Sequence, residues 1–103
     1  MIRFSALYPN REGTTFDMAY YCNRHIPLVQ RLLGETLKAV SVEQGVGGEA
    51  AGSAPPFLAS GHLTFESLAA FQTAFAAHAA EIIADVPNYT NSQPIIQIAE
   101  LKL

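Results

Sequence analysis

A chain of 103 residues, with six Lys and Arg against nine Asp and Glu and a net charge of −3, has the length of one domain spanning residues 1–103. Its basic residues are scattered, which argues against nucleic acid or an anionic membrane as partner, and its lone cysteine, Cys22, excludes an intrachain disulfide. No apolar run approaches the length of a membrane span and no secretory pattern opens the chain, so a reducing cytoplasm is the expected setting.

Residues 2–8 alternate apolar and polar and predict a first strand, closed by Pro9-Asn10 and Gly13. Thr14 with Asp17 three residues on resembles a capping pair, so a helix is predicted from near Thr15 to Gly34, a suitable C-terminal stop. Residues 36–46 predict a second strand, with Val40 and Val42 on one face and Leu37, Ala39 and Ser41 on the other. Four glycines and Pro55-Pro56 make residues 45–56 a loop. Phe57 to Phe65 predicts a third strand, with Phe57, Ala59, Gly61, Leu63 and Phe65 sharing a face. Ser67 can cap a second helix, whose apolar stripe is Leu68, Phe71, Phe75, His78 and Ile82. That pattern stops by Pro87, Asn88–Asn91 reads as a turn, and residues 94–101 alternate again as a last strand.

The order βαββαβ is the ferredoxin-like plan of an α+β fold, with helices on one face of an antiparallel sheet. On the last strand Ile96 and Ile98 point one way and Ile95, Ala99 and Leu101 the other, so both sheet faces read as substantially apolar. Half the residues are apolar and only 15% are charged. Both observations predict a homodimer, its two sheets packed face to face as a dimeric α+β barrel.

The densest information lies in the first helix. Met18, Cys22, Val29, Leu32 and Leu33 recur at three- and four-residue spacing, and His25 falls in the middle of their face. A core imidazole needs a hydrogen-bond partner, and its pKa moves easily across neutrality. Pro27 cannot donate to the preceding turn, so the helix is expected to kink or restart there and leave room beside His25. Tyr21, four residues earlier, can touch the ring. His25 and Tyr21 are therefore the candidate catalytic pair. Asp17 is too far along the helix to orient the imidazole, and no pattern names another carboxylate. The alternative for His25 is a satisfied core histidine.

These residues resemble the EthD family of the dimeric α+β barrel superfamily, the bacterial proteins named for ethyl tert-butyl ether degradation. The resemblance covers nearly the whole chain. It rests on Leu7-Tyr8-Pro9, on Phe16-Asp17 through Tyr20-Tyr21 to His25-Ile26-Pro27-Leu28, and on Gly61-His62-Leu63. It continues through Phe71 and His78 to Ala84-Asp85-Val86-Pro87-Asn88-Tyr89-Thr90. It implies a dimer with a pocket between helices and sheet in each subunit. Members accompany oxidative degradation of small organic compounds, and fungal relatives are assigned dehydratase- or decarboxylase-type steps.

Tyr8, at the end of the first strand, is a candidate binding residue, as are His78, His62, Asn88 and Tyr89. His62 lies opposite the Phe57 face, in barrel interior or dimer contact, while a capping role for His78 and turn chemistry for Asn88 are the plainer readings. Histidines at 25, 62 and 78 have no close ligand spacing, and the Gly45–Gly48 stretch opens no helix, so neither metal nor nucleotide cofactor is expected. The expectation is a protein that binds an apolar, oxygen-bearing molecule, with His25 moving a proton in dehydration, enolisation or cofactor-independent oxygenation of oxidoreductase type. The alternatives are a non-catalytic carrier for a separate oxygenase and a heme protein with a helical histidine ligand.

Overall fold

The computed structural model describes residues 1–103. Strand β1 (Ile2–Pro9) is followed by a helix, α1, over residues 18–33, then strands β2 (Ala39–Gln44) and β3 (Phe57–Phe65), helix α2 (Leu68–Ala84) and strand β4 (Ile95–Glu100). The strands form one antiparallel sheet in the order β2-β3-β1-β4. This is the predicted ferredoxin-like α+β arrangement, with both helices on one face. No helix is long and apolar enough to cross a membrane.

Helix α1 departs from the expectation at its start and in its middle. Asp17, not Thr14, caps it, its carboxylate accepting from the Tyr20 amide at 3.0 Å. The segment Tyr21–His25 is a π-turn, closed where the Ile26 amide donates to the Tyr21 carbonyl, and regular α-helix resumes over Ile26–Leu33. Pro27, in the first turn of that segment, has no amide to lose there. The extra residue in the turn shifts the phase of the apolar stripe. Tyr21, His25, Ile26, Val29 and Leu33 are buried, whereas Cys22, expected on the buried face, is exposed. Gly34 (φ 57°) ends the helix, and a 3-10 turn at Gly34–Thr36 delays β2 to Ala39. The Ser67 hydroxyl caps α2 by accepting from the Ala70 amide at 3.1 Å.

The core divides into two clusters. Ala6, Tyr8, Tyr21, Ile26, Ala59 and Tyr89 form one, and Val29, Leu33, Leu63, Phe65, Phe71 and Ile82 the other. Phe65 is wholly buried, and truncating it to alanine would cost about 3–5 kcal/mol. The opposite sheet face corrects the reading that both faces are apolar. It carries Arg3, Ser5, Ser41, Glu43, Ser60, His62 and Gln97, and its apolar part is confined to groups such as Leu7 and its cross-strand neighbour Ile95.

Candidate functional site

A cavity of about 560 Å³ lies between the helices and the sheet. Phe4, Ala6 and Tyr8 of β1 form its floor with Ile96 and Ile98 of β4, which pair with Ala6 and Phe4 across the strands. Phe71 and Phe75 of α2 wall one end, their rings 5.6 and 5.4 Å from Phe4. Tyr8, Tyr21, His25 and Tyr89 gather at the other. Ile83, Ile96 and Ile98 line the cavity yet are 60%, 48% and 45% exposed, so they mark its mouth. Of the predicted site residues, the cavity therefore brings together His25, Tyr21, Tyr8 and Tyr89.

The π-turn sets this geometry. It presents Tyr21 and His25 inward with their rings near-parallel, 5.4 Å apart and inclined by 14°, and leaves the His25 ring 4.6 Å from Tyr89. Tyr21 reaches across to the sheet because residue 61 is glycine: a Cβ there would lie 2.0 Å from the Tyr21 hydroxyl oxygen. The Tyr8 and Tyr89 hydroxyls are hydrogen-bonded at 2.6 Å, with either able to donate, and the Tyr21 ring packs 5.8 and 4.9 Å from their rings. The single bond between the Tyr8 and Tyr89 hydroxyls uses one of their two protons, so one O–H of that pair remains for a ligand oxygen. Burial is the main cause that pushes all three phenol pKa values well above their ordinary range, so they stay protonated donors.

His25 is oriented by a residue that sequence reasoning did not single out. Its Nδ1 lies 2.9 Å from Oδ2 of Asp85, just beyond the end of α2. The other Asp85 oxygen accepts from the Tyr20 hydroxyl at 2.7 Å and from the Asn88 amide at 2.8 Å. Burial lowers the imidazole pKa below the ordinary 6.5, outweighing the hydrogen bond and charge of Asp85. Burial works to raise that of Asp85, but the hydrogen bonds from Asn88, His25 and Tyr20 prevail and hold it below 3.8. At neutral pH the pair is a neutral imidazole and a carboxylate. A carboxylate only accepts, so the ring proton sits on Nδ1 and the Nε2 lone pair is left free. Nε2 has no hydrogen-bond partner, and no buried side-chain nitrogen or oxygen lacks one, so Nε2 meets open space.

The remaining candidates lie elsewhere. Asn88 is exposed, lines a separate shallow depression, and acts on the cavity only through Asp85. His78 is half-buried on α2 and does not line the cavity. The alternation of β3 places His62 on the opposite sheet face, where Ser5 meets Nδ1 at 2.7 Å and Ser60 and Glu43 meet Nε2 at 3.0 and 3.2 Å. No three His, Cys, Asp or Glu side chains converge.

Comparison with known proteins places this architecture. No curated protein sequence matches the chain. The crystal structure of an EthD-like protein from Ralstonia eutropha JMP134 is 40% identical, covers 99% of this chain and 92% of its own, and superposes with a TM-score of 0.94. An ethyl tert-butyl ether (EthD) family protein from Bacillus halodurans C-125 is 20% identical over 98% of both chains, with a TM-score of 0.74. HapK from Hahella chejuensis is 12% identical over 98% of this chain and 92% of its own, with a TM-score of 0.60. The last two are similar in fold alone. With the EthD domain profile matching residues 13–93 as well, the chain belongs to the EthD family.

Proposed function

We propose that this protein binds a small organic molecule in the cavity and catalyses proton transfer on it without a cofactor. The observation that carries this reading is the His25–Asp85 pair, with Nδ1 anchored and Nε2 free at the wall of an apolar cavity. A base poised below neutrality and positioned by a carboxylate is the usual form of a general acid/base. His25 Nε2 would take a proton from a carbon next to a carbonyl. The C–H electron pair then becomes a C=C bond, and the carbonyl oxygen takes the negative charge. The spare tyrosine O–H donates to that oxygen where the charge develops. The proton returns to another carbon in an isomerisation, or to a departing β-hydroxyl, leaving as water, in a dehydration. The test is solvent deuterium uptake at the α-carbons of aromatic-ring ketones such as 2-tetralone, in which a methylene group lies between ring and carbonyl, followed by proton NMR. Exchange catalysed by the protein and lost in His25→Gln supports the reading; exchange that survives the substitution overturns it.

The proposed working unit is a homodimer. Ile95 and Leu101 are 47% and 37% exposed, and β2 and β4 are both open sheet edges. Face-to-face packing would bury roughly 1,500 Å² or more in total, covering the network around His62. Light scattering at micromolar concentration checks it, and a stable 11.1 kDa monomer would contradict it.

A further inference from the structure

The charges around the cavity narrow what it can hold. Its lining contains no lysine, arginine, aspartate or glutamate. The charge bonded to its polar end is negative, the Asp85 carboxylate behind the His25 ring. The ring itself is neutral at pH 7, and so are the three tyrosines. A carboxylate or phosphate drawn into this space would lose its hydration, find no cation, and sit near a like charge.

The shape is equally specific. Tyr8 and Phe4 lie on one face of β1, four residues and so roughly 13 Å apart. The polar end holds the spare tyrosine hydroxyl proton and the free His25 nitrogen, and the other polar side chains in the lining, Ser92 and Gln93, are uncharged. The far end is a cluster of three phenyl rings, with Phe71 and Phe75 5.3 Å apart. That cluster offers ring faces and edges to a planar apolar body.

We propose that the cavity is charge-selective: it takes an uncharged cyclic molecule, its oxygen among Tyr8, Tyr89 and His25 and its ring against Phe4, Phe71 and Phe75, and rejects the same ring bearing a carboxylate or phosphate. Free acids, phosphate esters and acyl groups on anionic carriers are then not its substrates. This inference rests on the cavity being the ligand site of the proposed reaction, and it fixes the class of ligand.

The experiment is calorimetric titration at pH 7 with 2-naphthol and 2-naphthoate, which share a ring system and differ in charge. The expected result is 2-naphthol bound at least about 100-fold more tightly, from the desolvation of an unpaired carboxylate. Asp85→Asn removes the like charge, so it should raise naphthoate affinity relative to naphthol by about tenfold. Equal affinities of the wild-type protein for the two probes would overturn charge selection, whether or not the variant folds. Selective binding without α-proton exchange would keep charge selection and remove the proposed chemistry, whereas exchange with unselective binding would do the reverse. Binding of neither probe at millimolar concentration would overturn both.

Discussion

The two buried histidines of this chain, His25 and His62, are opposite cases of one problem. Both residues are buried, and each ring has a carboxylate beside it. His62 is satisfied at both nitrogens, by Ser5 on one side and by Ser60 and Glu43 on the other. His25 is satisfied at one nitrogen only, and the other meets a cavity. Burial and a charged neighbour alone do not separate a pinned ring from a poised one. The free nitrogen does.

The contrast can be broken most directly by substituting each ring in turn. His25→Gln should lower α-proton exchange by about 10²–10⁴-fold, the usual worth of a general acid/base. His62→Gln should leave exchange within a few-fold and instead cost about 1–3 kcal/mol of stability, because its partners lose their fit. Exchange assays and thermal unfolding of both variants check this, and a His62 variant that loses activity while keeping its melting temperature would erase the distinction.

A smaller effect is expected one step back. Asp85→Asn keeps the shape but removes the acceptor that holds the Nδ1 proton. Exchange should fall about 10- to 100-fold, and its pH profile should move while melting shifts little. Gly61→Ala tests the seat of Tyr21. The added methyl would collide with the hydroxyl, so the ring must move, with about 1–3 kcal/mol lost in thermal unfolding and weaker ligand binding.

The smallest effect is in acid. Burial makes His25 bind its proton more weakly in the folded chain than in the unfolded one. Its contribution to stability is therefore complete above pH 6.5 and shrinks as pH falls from 6.5 toward the lower folded value. Asp85, whose carboxylate is favoured in the fold, adds a second loss as pH falls below 3.8. Melting temperatures measured from pH 7.5 down to 5 should decline, and His25→Gln should flatten that decline.

Much of this was legible in the residues. Period-two alternation carried β3 from Phe57 to Phe65 and β4 to within a residue of its ends, and Ser67 marked the start of α2. Pro27 signalled the irregular helix beside His25. A proline says that regular helix is interrupted but not that the interruption is a π-turn, so regular helical spacing puts Cys22 on the buried face when the structure exposes it. Asp85 stayed hidden for a different reason. It lies 60 residues from His25, in the turn after α2, and only the tertiary fold brings the two together. The two-sided apolar pattern of β4 hides the polar network on the far sheet face, because an edge strand does not report the residues of its neighbours.

The proposed chemistry requires His25 to be a neutral base, held at Nδ1 and open at Nε2. Nitrogen-15 NMR of histidine-labelled protein reads this directly, titrated from pH 8 to 5 with and without 2-naphthol. The expected result is an Nδ1–H tautomer for His25, a midpoint below 6.5, and a shift of its Nε2 resonance when 2-naphthol binds. An Nε2–H tautomer at neutral pH, or an Nε2 signal unmoved at saturating ligand, would contradict it.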